Sequence, residues 1–328
     1  MAPLIRRMHL FEIDDQPWFP SVFRERIQAA LTIAWTTHVP ILQSTSPARL
    51  VAKVLSSHLA SSIRNYVFID FCAGAGGPTP SIEKHLNQTL ESSSSSSSST
   101  NPPHGTFAQV AAAAAASDTH LAWPPPPPQT SPVQFVLTDL HPHVADWKAA
   151  AAASPNISYV ASSVDAAAAP ADLVGSYKRQ GKKVFRLFNL AFHHFDDPLA
   201  KAILKNTVET SDGFGIFELQ ERNPQGLLTC LLFGIGILLM APYYALIVWR
   251  SPLTLFFVYA VPILPFVLVF DGWMSALRTR TPDEVEALLR TCGAEGGDVE
   301  IARWQVTSGK ETFMWPVGKL NWVICVRK

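Results

Sequence analysis

The stretch Tyr66-Val67-Phe68-Ile69-Asp70-Phe71-Cys72-Ala73-Gly74-Ala75-Gly76-Gly77-Pro78-Thr79-Pro80 decides the fold. Its first six residues form an apolar run with the β-branched and aromatic bias of a buried parallel strand. Three glycines in the next few positions permit a tight bend and a close approach of backbone to a ligand. Pro-Thr-Pro then opens a helical pattern. The dinucleotide fingerprint G-x-G-x-x-G would need glycine at 79, where Thr79 stands. Asp70 is expected to face the pocket, where a carboxylate suits an ammonium group and works against a pyrophosphate.

Working outward, four more runs read as buried strands: VQFVLTD (133–139), ISYVAS (157–162), KVFRLFNL (183–190) and GFGIFEL (213–219). Helical patterns over 80–90, 142–153, 166–180 and 198–210 separate them. Thr281-Pro282-Asp283-Glu284 is an N-cap with proline at the first helical position and acids in the first turn. That helix is predicted to run to Gly293. Two further strands are expected at VEIARWQV (299–306) and LNWVICV (320–326). Five βα units and a terminal strand pair define an open, doubly wound α/β sheet.

The chain has 328 residues, 26 basic against 26 acidic, and a pI near 7.2, so it lacks the basic surplus of a nucleic-acid binder. Charged residues make up 16%, against about 25% in an ordinary soluble domain. The deficit is local: between 223 and 270 the only charged residue is Arg250. It divides the stretch into 226–249 and 252–270, roughly 36 and 28 Å long as helices, close to the ~30 Å bilayer core. Trp249 and Trp273 sit near segment ends, as interfacial aromatics do. Four prolines (242, 252, 262, 265) are better tolerated in a membrane than in a soluble helix. The alternative is a buried helix pair or a hydrophobic lid over an apolar substrate. Arg222, Arg278 and Arg280 flank the hairpin against a lone Arg250 at its turn, which sets the remainder on the cytosolic side. The four cysteines form no C-x-x-C pair, and the amino terminus has no apolar h-region, so a reducing, cytosol-facing chain is expected. Residues 91–132, with runs of eight serines, six alanines and five prolines, read as a disordered insertion.

Chemistry gathers at the carboxyl ends of the strands. Asp139 ends the second strand, where an acid about 20 residues past the glycines accepts ribose hydroxyls; removing the 42-residue insertion restores that distance. After the third strand, Asp165 is placed for an adenine amino group or as a helix cap. The fourth strand runs into Asn189-Leu190-Ala191-Phe192-His193-His194-Phe195-Asp196-Asp197. One histidine there can serve as general base, the other being structural, and Asp196 or Asp197 suits a helix N-cap. Residues 14–20, DDQPWFP, precede helical patterns at 21–36 and 47–62; Trp18 and Phe19 line a substrate mouth or pack the segment.

D-F-C-A-G-A-G-G, L-T-D-L and F-N-L-A-F-H-H-F-D-D together resemble motifs of class I S-adenosylmethionine-dependent methyltransferases, over about 66–90, 133–222 and 273–328. The resemblance implies a seven-stranded Rossmann-like sheet whose last strand inserts antiparallel. It also implies that Asp70, Gly74, Gly76 and Gly77 hold the methionine moiety of S-adenosyl-L-methionine. Asp139 would take the ribose and Asp165 the adenine, with Asn189 to His193 edging the methyl-transfer site. The branch it looks most like is that of quinone-biosynthesis methyltransferases, from which this chain departs by its hydrophobic hairpin. No N-P-P-Y-type signature of base or amide methylation is present. The expected organisation is an N-terminal helical cap (1–62), a core (63–222) carrying the insertion, a membrane-embedded hairpin (223–272) and a C-terminal return of the core (273–328). The expected activity is methyl transfer to a small or lipid-like acceptor, with His193 or His194 as base and no metal. A catalytically silent membrane scaffold or cofactor sensor is the alternative.

Overall fold

The computed structural model describes residues 5–39, 42–97 and 131–328. The chain opens with α1 (Ser21–Thr36) and α2 (Pro47–Leu59), the latter capped by the Ser46 side chain, and a 3-10 turn at Ala60–Asn65. Strand β1 (Tyr66–Asp70) then leads through the glycine loop into α3 (Thr79–Ser97). β2 (Gln134–Leu137), α4 (Val144–Ala153), β3 (Ile157–Tyr159), α5 (Ala171–Arg179), β4 (Lys183–Asn189), α6 (Asp197–Thr210) and β5 (Gly213–Glu218) continue the alternation. Next come the apolar helices α7 (Pro224–Tyr243), α8 (Pro252–Leu255) and α9 (Ile263–Arg278). The chain finishes with α10 (Pro282–Arg290), α11 (Gly297–Ile301), β6 (Trp304–Met314) and β7 (Gly318–Arg327).

One sheet has the order β3-β2-β1-β4-β5-β7-β6. β1 to β5 are parallel, and β7 lies antiparallel between β5 and β6. This is the doubly wound, seven-stranded arrangement expected, with the inserted antiparallel strand where the resemblance placed it. Side chains alternate across each strand. Phe68, Phe135 and Phe185 pack with α2, α3 and Trp147 on one face. Val67, Ile69 and Val184 pack with α5, α6 and α10 on the other.

Two sequence expectations are corrected. The helix predicted at 80–90 continues through Ser97, so the insertion's first serines belong to α3; residues 98–130 lie outside the described residues. The strand expected at 299–306 is a short helix followed by β6, which begins only at Trp304. The acids Asp298 and Glu300 favour the first turn of a helix over a strand. Asp196 is the cap of α6, its carboxylate accepting the Leu199 N–H at 2.8 Å. Thr281 and Glu284 form a reciprocal capping box on α10, as their spacing predicts.

The hydrophobic stretch is less regular than a simple hairpin. Residues Pro224–Val248 make one helix long and apolar enough to cross a membrane, with only 17% of its apolar window buried. The second half is broken: Pro252–Ala260 and Ile263–Arg278 meet at 64°. Pro242 cannot donate to the Leu238 carbonyl four residues back, and the Tyr259 hydroxyl donates to that carbonyl instead. The inner faces pack on the N-terminal segment, with Phe19 and Ile27 against Ala241, Val258, Leu264 and Val267.

Candidate functional site

A cavity of about 250 Å3 lies at the carboxyl edge of the sheet. The glycine loop, the ends of β4 and β5, α1, α7, α9 and the acidic segment around Glu12 all contribute to its wall. Gly74, Gly76 and Gly77 have φ of 51°, 102° and 48°. At Gly76 that value lies where side-chain-bearing residues are strained. Gly74 and Gly77 line the cavity together with Ala73 and Ala75, and Gly76 shapes the turn behind them.

Asp70 does not face this space. It is 1% exposed, and its carboxylate accepts from the Thr79 hydroxyl, the Cys72 N–H and, at 3.3 Å, the Asn189 amide. Burial pushes its carboxyl up to about 6, with those hydrogen bonds opposing. Its place is behind the loop, tying β1 to α3 and β4. Asn189, in front of it, lines the cavity, and its Oδ1 accepts no hydrogen bond. Asp139 is half-buried and accepts from Gly74 N at 2.9 Å and His141 N at 2.8 Å, holding the loop's outer side. Asp165 is exposed and caps its own turn through Ala167 N at 2.8 Å. It stays near Asp139, because Val164 N donates to the Asp139 carbonyl at 2.9 Å. Trp18 is exposed and Phe19 packs on the apolar helices, so neither lines a mouth.

The two histidines divide their roles. His193 is 2% exposed, and its Nδ1 lies 2.9 Å from Glu218 Oε2. A carboxylate only accepts, so the tautomer that this contact favours carries its proton on Nδ1, and in the neutral form of that ring Nε2 keeps a lone pair. That Nε2 faces no hydrogen-bond partner; the nearest acid, Glu12 Oε1, is 3.8 Å away. His194 instead bonds Asp15 Oδ2 at 3.1 Å. Burial would lower its pKa, but the Asp15 hydrogen bond and the charges of Glu12 and Asp15 raise it to about 9. Burial likewise opposes Asp15, which His194 and Arg278 hold down at about 2. His194 is thus an ion-pair partner near neutral pH and His193 is the available base.

Several of these groups were not singled out in the sequence. Glu218 ends β5, where the strand-end rule that marked Asn189 applies equally. Glu12, Asp14 and Asp15 stand in an acid-rich run before Trp18, while Asp271, Ser275 and Arg278 are the polar residues of an otherwise apolar helix. Glu12, His193 and His194 bring ligand-type atoms within 4.8 Å of one another. Arg278 Nη1 already sits 2.9 Å from Glu12 Oε1, and Ser275 Oγ donates to the same oxygen at 3.0 Å. A guanidinium therefore supplies the cation that this carboxylate needs, and the set is a charge-paired network.

Across His193, a second cavity of about 440 Å3 is lined by Glu218, Arg222, Arg280 and the β6–β7 face. The His193–Glu218 pair forms part of the partition between the two.

No protein-family model and no curated protein matches the chain. Among solved structures it is similar to the pyocyanin biosynthetic protein PhzM, at 14% identity and a TM-score of 0.39, over 84% of this chain and 55% of that one. It therefore spans about half the length of that protein. It is also similar to a putative Zn-dependent alcohol dehydrogenase from Rhodobacter sphaeroides, at 12% identity and a TM-score of 0.40, over 92% and 98% of the two chains. For EvdMO1 the figures are 10%, 0.31, and 93% against 47%. Likeness at this level leaves the activity to be argued from the site.

Proposed function

We propose that this protein is an S-adenosylmethionine-dependent methyltransferase, seated on a membrane by its apolar helices and acting on a small or lipid-like acceptor. The observation that carries the reading is His193: oriented by Glu218 at 2.9 Å, it lines a cavity whose wall includes the glycine loop, and its buried Nε2 has no hydrogen-bond partner. Part of the expected cofactor set borders the cavity, namely Gly74, Gly77 and Asn189, while Gly76, Asp139 and Asp165 lie outside its wall. Backbone bared by three left-handed glycines can approach the cofactor closely, and Asn189 Oδ1 is an unused acceptor beside them. Gly74, Gly76, Gly77 and Asn189 would hold the methionine moiety, Asp139 the ribose and Asp165 the adenine edge, with Asp70 bracing the loop from behind. When bound, the cofactor supplies a methyl group activated on a sulfonium.

The protein's task is then to align and deprotonate the acceptor. Positioning accounts for much of the rate in such displacements. His193 takes the acceptor's proton on Nε2, and Glu218 stabilises the imidazolium that results. Exposed Leu231, Ile235, Leu239 and Ile247 on the outer side of the first apolar helix support contact with lipid.

The test pairs two measurements on detergent-solubilised protein. Calorimetry should show S-adenosylmethionine binding that weakens at least tenfold in Asp139→Ala. His193→Gln should keep that binding and lose about 100-fold or more of methyl incorporation into a lipid extract. A folded wild type that binds no cofactor overturns the reading; binding without any transfer favours a silent sensor.

A further inference from the structure

The acids around the cavity are not equally matched, and the imbalance has a location. Glu12 is paired with Arg278, and Asp15 with Arg278 and His194. Asp271 accepts the N–H groups of Ile13 and Asp14 at 2.7 and 2.9 Å. Asp14 is left over: its Oδ1 is buried without a hydrogen bond. Arg24 pairs with it only at 3.8 Å and directs Nε and Nη2 to the carbonyls of Asp14, Gln16 and Phe19. Burial and the neighbouring Asp271 raise the Asp14 carboxyl to about 7 with Arg24 opposing, the behaviour of a buried acid whose one cation does not offset its surroundings.

Other buried side chains on the same wall are short of donors as well. Asn189 Oδ1, His193 Nε2 and Gln220 Oε1 all lack a partner, on residues 6%, 2% and 8% exposed. Buried acceptors left unpaired are costly, so the cavity is shaped for a guest that brings N–H groups. The rest of its wall is apolar, including Ile27, Leu31, Phe233 and Leu268. Phe233 and Leu268 come from the two helices whose outer faces are exposed and hydrophobic.

We infer that the acceptor is a primary or secondary amine carried on an apolar chain, its ammonium held by Asp14 beside Asp271 and its chain lying against α1, α7 and α9. This rests on the methyltransferase reading. The ammonium gives its proton to His193 Nε2, the freed nitrogen lone pair forms the N–CH3 bond, and the S–CH3 bond of the sulfonium breaks, leaving a neutral thioether.

Octylammonium, 1-octanol and S-adenosylmethionine, each titrated by calorimetry into the full chain in detergent, separate the possibilities. Octylammonium should bind at least tenfold more tightly than octanol. Asp14→Asn should abolish that preference without changing cofactor affinity, and Asp14→Glu should restore part of it. Equal binding of amine and alcohol overturns the inference. So does a cofactor affinity that falls in Asp14→Asn while octylammonium competes with the cofactor, since the acid would then serve the cofactor's own amino group. If the cofactor fails to bind yet octylammonium binding still depends on Asp14, the methyltransferase reading falls and the ammonium site stands.

Discussion

His193 and His194 are chemically identical neighbours with ring centres 4.2 Å apart, and their partners make them different tools. One carboxylate fixes the tautomer of His193 and leaves a lone pair; a denser acidic setting keeps His194 charged. The second arrangement has a consequence for stability. A histidine whose folded pKa is raised from 6.5 to about 9 contributes stability that is complete below 6.5 and fades as pH climbs to about 9. Asp14, raised from 3.8 to about 7, is disfavoured in its charged form, so it lowers stability as pH rises between those values. The two windows join, and the midpoint of thermal unfolding should fall from about pH 5 to pH 9. His194→Gln should flatten the upper half of that decline and Asp14→Asn part of the lower half, where Asp70, raised to about 6, contributes in the same direction. Thermal scans across pH on the three proteins check this. A wild-type midpoint rising over that interval contradicts the assignment.

At the scale of elements, Gly234 sits where two apolar helices meet. A Cβ built there would stand 2.3 Å from Val269 Cγ2, so α7 and α9 meet through a position with no side chain. Small residues let apolar helices approach in this way. Gly234→Val should force them apart and cost about 1–3 kcal/mol through overpacking, read as a lower unfolding midpoint in detergent; an unchanged midpoint would show that the contact is slack. Much at this scale was legible in advance. All five parallel strands lie within the apolar runs read from the sequence, because buried parallel strands are apolar on both faces. The cap at Thr281 was explicit in four residues. What was hidden depended on distant pairing. Asp70 looked pocket-facing because a strand-end acid usually is, and only the fold brings Thr79 and Asn189 onto it. Glu12 and Arg278 are 266 residues apart, and no local pattern joins them. The bend after Pro252–Ala260 was concealed for a similar reason: four prolines signal irregularity without saying which one turns the chain.

For the whole molecule, the exposed apolar residues lie largely on one contiguous stretch of sequence. Leu239 is 74% exposed and Ile247 64%, far beyond what an isolated soluble domain presents together. Liposome flotation should carry the wild type to the top of the gradient. Leu239→Lys with Ile247→Lys should reduce the floated fraction several-fold and leave cofactor binding intact, since neither residue lines the cavity. Equal flotation would place the lipid contact elsewhere. The bent pair matters here too, since a helix that turns by 64° can lie partly in the interfacial plane while its inner face closes the site.

The position of β7 sets a timetable for biosynthesis. It pairs with β5 along Gly213–Glu218, yet the ribosome makes it only after α7, α8 and α9 have emerged. Until then the edge of β5 that faces away from β4 is unpaired. On the membrane seat proposed above, the apolar helices would be available to lipid before the sheet can close. The order of synthesis therefore puts the apolar helices before the strand that closes the sheet.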